Sequence, residues 1–435
     1  MNRWKNSYDI VIIGAGLSGL ATGFLLNQHG FKTCVLEARS RTGGRAYTIR
    51  DPKFDICIDL GGEFIGSYHT TVQKWCNHFN LKLQPICNTL PKEILPNKIF
   101  IDNQFLNNSH LHQLNKELEK LIDELIILAQ NVNPIRPWNS PSKLTLYNFI
   151  SVEDWLAQQG YSKDIQVIFS DLGPAKQSML ALLALIASGN GKPFFYESES
   201  FIIEGGTTSL VEAFTDALRD TVFLNCIVHS VETENDHAIV KFKRPDRNLE
   251  CCHTKAIIIT IPPCCWCNIA GIPTELMNLA PAMSQNRKIS LIADIDYLFE
   301  EFCLLTDHPC RMISIDSLSK RSQKKISKVN IFACPFLSKN QITQLDIINT
   351  AIRMCHLETI KIISIYEEQW NNSFWSQGTY PMFTPGLLNS NYNFLVQGIP
   401  PFFFAGDYII PGLTGYMEGS LRSAEKAVQR IVSFL

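Results

Sequence analysis

Charge is scarce in this chain. Only 18% of its 435 residues are charged, and 39 Lys and Arg against 41 Asp and Glu leave a formal net charge of −2. So thin and balanced a set excludes a polycation that coats nucleic acid, because counterion release needs a dense basic surface. The 46% of hydrophobic residues excludes a disordered chain. Long hydrophobic runs are missing too. The most apolar stretch, Met179 to Ala187, is far short of the ~20 residues of a spanning helix and predicts a buried helix instead. At the N-terminus a glycine-rich turn interrupts the apolar run before a signal-peptide core forms. The last apolar residues, Ile431 to Leu435, are too few for a tail anchor. The expectation is a soluble, cytoplasmic protein with no nucleic-acid partner and no stable membrane insertion. No period of 20–50 residues recurs, which excludes a repeat fold.

Cysteine, by contrast, is plentiful: there are 14. Disulfide frameworks belong to short secreted chains, and this chain is neither. Cys264 and Cys267 form a Cys-x-x-Cys, but no second half follows at metal-ligand spacing, so no metal is expected. It follows directly on a strand, Ala256 to Pro263, where buried thiols act as small hydrophobes.

The length suits two or three domains, and the first of them announces itself at once. Tyr8 to Ile13 is a β-branched run of the kind found in fully buried parallel strands. Gly14-Ala15-Gly16-Leu17-Ser18-Gly19 follows, then an apolar helix to about His29, closed by Gly30. A second strand, Thr33 to Leu36, ends on Glu37. In a dinucleotide site Gly14 permits the tight turn, Gly16 admits a pyrophosphate to the backbone, and Gly19 lets helix and strand pack closely. The helix N-terminus offers N–H groups to phosphate, and Glu37 accepts from ribose hydroxyls.

The run that follows, Glu37-Ala38-Arg39-Ser40-Arg41-Thr42-Gly43-Gly44-Arg45, adds a second wall that a plain nicotinamide dehydrogenase does not need. Together with Asp59-Leu60-Gly61-Gly62-Glu63-Phe64-Ile65-Gly66, it resembles the flavin-containing amine oxidase family, to which monoamine and polyamine oxidases belong. The resemblance implies FAD, with Gly43, Gly44 and Arg45 along its pyrophosphate and the Gly61-Gly62 segment close to the flavin ring, and with Arg39 and Glu63 among the cofactor-binding residues.

The C-terminal end carries the strongest match. Phe402 to Gly406 reads as a strand, Asp407 follows, and Gly415-Tyr416-Met417-Glu418-Gly419 opens a helix, as in the family's Gly-Tyr-Met-Glu-Gly signature. A second helix N-terminus is placed to face the pyrimidine end of a flavin, and Gly406, Asp407, Tyr416 and Met417 are its expected neighbours, with Asp407 accepting from a ribityl hydroxyl. For Glu418 two readings stand: a part of the signature, or an acid favoured in any first helical turn. Monoamine oxidases place a tryptophan eight residues before the glycine of a Gly-Cys-Tyr whose cysteine binds flavin covalently. Here the corresponding run is Trp370 and Gly378-Thr379-Tyr380, so FAD is expected to be non-covalent. Tyr380 and Tyr416 map onto the two rings that flank the amine in the family; ordinary core packing is the alternative.

Between these ends, Phe201 to Leu210 resembles the family's Gly-Gly-x-x-x-Leu segment, Val222 to Lys243 reads as two strands, and the backbone at Val228 is implied to lie against adenine. The fold class is α/β: a Rossmann-like FAD-binding domain, doubly wound, made of residues 1–75, 197–268 and 376–435. An inserted α+β substrate domain is expected from residues 76–196 and 269–375. In the first insertion Leu111 to Gln130 shows helical spacing, and Ser151 stands as N-cap with Asp154 at the capping-box position. In the family a lysine early in the second insertion holds a water near the reactive flavin nitrogen. Arg287-Lys288 occupies that place, and since strand side chains alternate, only one of the two faces the flavin; the choice falls on Lys288.

The implied activity is oxidation of a small-molecule amine by hydride transfer to FAD, with molecular oxygen as second substrate and hydrogen peroxide as product. Lys288, Tyr380 and Tyr416 are the expected catalytic residues, and a homodimer is an allowed assembly. Two rivals remain: a desaturase or isomerase of a hydrophobic substrate, since Asp407-Tyr408 also resembles carotenoid desaturases, and a flavin-fold protein that binds without turnover. With the helix that the Gly415 to Ser420 stretch opens running to Leu435, the membrane anchor that monoamine oxidases append is not expected here.

Overall fold

A computed structural model describes residues 6–86, 98–172, 175–218, 220–234, 237–245, 247–294, 302–308, 310–317, 326–333, 342–357 and 359–435. The first five residues, part of the leader reading, lie outside it. Five strands form an all-parallel sheet in the order Phe402–Phe404, Ala256–Ile259, Ile10–Ile13, Thr33–Leu36, Val222–Phe223. Every residue of Ile10–Ile13 and Ala256–Ile259 is buried, because both faces of the sheet are covered.

Ile10 and Ile12 share a core with the helices Leu17–Gln28, Thr208–Ala217 and Met417–Phe434, through Leu20, Phe214 and Leu421. Val11 and Ile13 point the other way, into a core with Val231, Val240 and Phe242. Those three belong to an antiparallel sheet of Ile227–Glu234, His237–Lys243 and Glu250–Thr254. The Rossmann-like parallel sheet is thus covered by helices on one face, and on the other it meets this antiparallel sheet, part of which the Val222 to Lys243 pattern predicts. Its middle strand alternates buried and part-exposed residues, and such a one-sided apolar face closes a core as well as a helical stripe does.

A second sheet of seven strands runs Lys361–Glu367, Arg287–Asp294, Ile326–Ala333, Cys310–Ser317, Phe302–Thr306, Lys98–Ile101, Gln104–Phe105. One face packs Ile289, Leu291, Ile313 and Ile331 against Ile347, Ile348 and Ala351 of the helix Gln344–Met354. That helix opens with a capping box of Thr343 and Asp346. Residues from both insertions thus build one sheet. The helices of the first insertion pack nearby: Asn108–Ala129, Val152–Gln158 and Met179–Ser188. The first starts three residues ahead of the periodic run, because the Asn107 side chain accepts from the His110 N–H and sets the cap. Ser151 caps its helix as expected, accepting from the Asp154 N–H at 3.1 Å. Met179 to Ile186 are all buried, as the run's composition demanded. Among the described residues no helix is long and apolar enough to cross a membrane.

Candidate active site

Three glycine turns and two helix starts converge on one cavity. Gly14 has φ +104°, a conformation that suits glycine. A Cβ at Gly19 would stand 2.0 Å from the Gly14 carbonyl oxygen, so Gly19 holds helix against turn and does not line the cavity. Gly16 is the opposite case: nothing lies within 4 Å of where its Cβ would be, and it lines the cavity. It is also the N-cap of Leu17–Gln28 and has no side chain to satisfy the first N–H groups. At Met417–Phe434 the N-cap is Tyr416, again without a side-chain capping bond. Two uncapped helix N-termini therefore border the same space.

That space has a volume of about 1320 Å³. Its wall carries Gly14, Gly16, Glu37, Arg39, Gly43, Gly44, Arg45, Gly61, Gly62, Val228, Lys288, Tyr380, Gly406, Asp407, Tyr416 and Met417, residues scattered from one end of the chain to the other. Of the site residues singled out in the sequence, only Gly19 and Glu63 stand off the wall. Where Asp102, Glu153, Lys163 and Lys176 line it, the cavity meets solvent, since all four are exposed.

Hydrogen bonds hold the wall in shape. The Glu37 carboxylate accepts from the N–H groups of Ala15 at 2.7 Å and Arg39 at 2.9 Å, which fixes the first turn to the second strand. The Gly43 N–H donates to the Ala15 carbonyl at 2.8 Å, joining the two glycine turns. Arg39 donates to the hydroxyls of Ser373 and Ser376. Arg41 lies 3.9 Å over the Tyr47 ring. Arg45 forks onto Asp407, at 3.0 and 2.8 Å, and donates to the Thr379 carbonyl at 2.6 Å. Burial works against the Arg45 charge, but Asp407 outweighs it and raises the guanidinium's pKa. A Cβ at Gly61 would lie 1.7 Å from the Arg45 carbonyl, so only glycine lets these segments touch, and the Gly62 N–H donates to that carbonyl.

The structure separates Arg287 from Lys288. Arg287 shares the parity of Ile289 and Leu291 and pairs with Glu367 at 2.6 Å. Lys288 points to the opposite face. Its ammonium donates to the Asp59 carbonyl at 2.7 Å and pairs with Glu63, whose other oxygen meets Lys328 at 3.0 Å. Burial would push the Glu63 carboxyl up, yet the two lysines override it and hold it at about 2. Glu63 thus sits behind the wall as an ionised anchor for Lys288.

At the aromatic end, the Tyr380 hydroxyl accepts from the Asn286 amide at 2.6 Å. Its Cβ lies 3.3 Å from where a Cβ on Gly415 would stand, beside Tyr416. The Tyr416 ring packs 4.8 Å from that of His69. Burial raises the Tyr416 hydroxyl's pKa, and the Glu199 charge raises it further. Burial also drives His69 down to about 4, with Arg422 pushing the same way. Thr379 donates both its N–H and its hydroxyl to the Ser284 carbonyl.

Glu418 is fully buried, but its carboxylate turns from the cavity. It accepts from the Thr71 and Val72 N–H groups, at the start of the helix Thr70–His78, and pairs with Arg422 at 2.5 Å. Sequence reasoning passed over Glu199, Lys328 and Cys265. Glu199 and Cys265 line the cavity. Glu199 follows a polar run just ahead of Phe201–Ile203, with no periodicity to mark its direction; its place ahead of the Gly205-Gly206 segment was the one signal.

The flavin containing amine oxidoreductase family matches residues 17–298 and 355–432. The flavin-containing amine oxidase A of Sus scrofa is 24% identical over 476 residues, covering 100% of this chain and 86% of that one. The B enzyme of Homo sapiens is 24% identical, covering 98% and 86%. Among solved structures, a putrescine oxidase bound to putrescine superposes with a TM-score of 0.82 at 18% identity, over 98% of this chain and 99% of that one. Cyclohexylamine oxidase from Brevibacterium oxydans gives 0.80 at 21%, over 98% and 99%. With a match over most of its length and a shared fold, the chain belongs to the flavin containing amine oxidoreductases and is a flavin-dependent, amine oxidase-like enzyme.

Proposed function

We propose that this enzyme oxidises a small-molecule amine, with FAD bound non-covalently and molecular oxygen as the final acceptor. The observation that carries the reading is the pair of uncapped helix N-termini, at Gly16 and Tyr416, on one continuous cavity. Uncapped N–H groups and a positive helix end want an anionic or acceptor-rich ligand, and the bare surface at Gly16 leaves room for its backbone to approach. The residues present fit FAD. Gly14, Gly16, Gly43, Gly44 and Arg45 would hold the pyrophosphate, with Arg39 beside them, Glu37 the ribose and Val228 the adenine. Asp407, Gly61, Gly62, Gly406, Tyr416 and Met417 would hold the flavin end. Residues 1–75, 197–268 and 376–435 would form the FAD domain, and 76–196 with 269–375 the substrate domain.

Bound there, FAD would supply a two-electron acceptor for the hydride of the amine's α-carbon, with oxygen as the final acceptor and hydrogen peroxide as the product. The protein's own part is positioning and electrostatics. Tyr380 and Tyr416 offer electron-rich ring faces to an amine nitrogen. Lys288 has three N–H donors; Glu63 and the Asp59 carbonyl take two of them, which leaves one to hold a water against the cavity. The Arg45–Asp407 fork locks the wall that Thr379 belongs to. Thr379 carries a hydroxyl where a covalent link would need a thiol.

A peroxide-coupled screen of the flavin-loaded enzyme against primary amines, polyamines and amino acids tests the reading. Peroxide with an amine supports it. Flavin bleaching on a polyene alone would replace it with a desaturase, and ligand binding without any bleaching would replace it with a non-catalytic binder. Acid precipitation tests the attachment: yellow supernatant and colourless pellet are expected, and a yellow pellet defeats the non-covalent assignment.

A further inference from the structure

One cavity residue has no part in the mechanism so far. Glu199 is half-buried and lines the cavity together with Tyr416, Tyr380 and Lys288. Among the described residues its carboxyl has neither a hydrogen bond nor an ion pair, although its neighbours are fully engaged: Glu63 pairs with two lysines, and Glu197 accepts from Ser67. A carboxyl kept in a cavity with no internal partner costs the fold free energy unless a ligand completes it. Apolar Phe64, Leu305, Met312, Phe332 and Met382 line the same cavity, beside the charged Asp307 and Arg311.

We propose that Glu199 is the substrate-binding carboxylate of this enzyme: it receives the ammonium head of a primary alkylamine and takes one of its protons. The inference rests on the amine oxidation reading above. Alkylamines carry a proton at neutral pH, as lysine does with its pKa of about 10.4, and only the neutral amine has a free lone pair. In the transfer an N–H bond breaks, an O–H bond forms on Glu199, and the electron pair stays on nitrogen. The ion pair is thereby exchanged for two neutral groups, which a desolvated cavity favours.

The groups facing Glu199 support this use. Burial raises its carboxyl to about 7, and the Glu63 charge adds to the shift, while Lys288 opposes it. Tyr68 and Tyr416 are the other titratable neighbours; their own pKa values are raised, so both stay neutral and neither supplies a cation. Glu199 is therefore an acceptor near neutral pH. The same placement selects against α-amino acids, whose carboxylate sits one carbon from the nitrogen and would meet Glu199 in a site of low dielectric. The substrate class is an amine with an apolar body and no α-carboxylate.

The test uses the flavin-loaded enzyme, n-hexylamine as probe and n-hexanol as neutral control, with binding read from the flavin absorbance under anaerobic conditions. In the wild type, hexylamine binding should weaken as pH falls through about 7, when Glu199 is protonated. Glu199→Gln should remove that limb and weaken hexylamine binding about tenfold or more above neutral pH, the loss of a charge-assisted bond. Its flavin content and hexanol affinity should not change, and Glu199→Asp should restore the limb. If the Gln variant binds hexylamine with wild-type affinity and pH dependence, or loses hexanol equally, the proposal is overturned. If hexylamine binds in a Glu199-dependent way but never bleaches the flavin, the oxidation reading falls and the recognition role stands.

Discussion

At Glu199 the folded chain releases a proton near pH 7, where an ordinary glutamate releases it near 4.5. The sign of the stability effect follows. Below 4.5 both states hold the proton and nothing is lost. As pH rises from 4.5 through 7 the unfolded state ionises first, and the folded state is progressively disfavoured. Glu199→Gln should therefore stabilise the ligand-free protein at pH 8, on the order of 1–3 kcal/mol, with no gain at pH 4. Melting curves at the two pH values check this, and an equal change at both would refute it. Glu63 behaves oppositely. Its carboxyl, held at about 2, contributes stability above 4.5 that is lost as pH falls toward 2. The contrast comes from partners: two lysines reach Glu63 and none pairs with Glu199. Gly16 is a third single-residue case. Gly16→Val would place a branched side chain in the open space there and should abolish FAD binding with the fold intact; a variant that purifies yellow would defeat the assignment.

At the scale of elements, Glu418 shows how one side chain orders two helices. It belongs to the first turn of Met417–Phe434 but caps Thr70–His78, whose own N-cap, His69, makes no side-chain capping bond. Glu418→Ala should destabilise the protein by about 1–3 kcal/mol, because it strands the Thr71 and Val72 N–H donors and removes the fully buried partner of the partly exposed Arg422. Denaturant unfolding measures the loss; a change under 1 kcal/mol would show that the cap is dispensable. Both readings of this acid from sequence concerned its own helix. Arg422 is one turn along its own helix, but the N–H groups of Thr71 and Val72 lie 347 and 346 residues away, beyond the reach of any local pattern. Elements with a strong local signature were legible: the buried strand Ile10–Ile13, the apolar helix Met179–Ser188, the Ser151 cap. The placement of the antiparallel layer under the parallel sheet was not, since alternation along a strand reveals that one face is buried and leaves its partner unnamed.

Across the whole molecule, the Arg45–Asp407 fork spans 362 residues of sequence and ties the second glycine turn to the end of the last parallel strand. It also fastens Thr379. Arg45→Leu should lower both thermal stability and flavin retention. Arg45→Lys keeps the charge without the fork and should still lose flavin more readily than the wild type in gel filtration. Equal retention in both variants and the wild type would show that the fork does not shape the cavity.

The local motifs were enough to establish the dinucleotide turn, the acid after the second strand, the C-terminal helix start and the class of cofactor, because each depends on residues within one or two turns of chain. They also narrowed the choice to Arg287 or Lys288, which both border the cavity and which the folded sheet ties to different carboxylates, Glu367 and Glu63. Only the tertiary structure decided which carboxyl is spent on lysines, which caps a distant helix and which stands open in the cavity. Burial and pairing are properties of neighbours brought together from remote segments, and Glu63, Glu418 and Glu199 are chemically identical until the chain has folded around them.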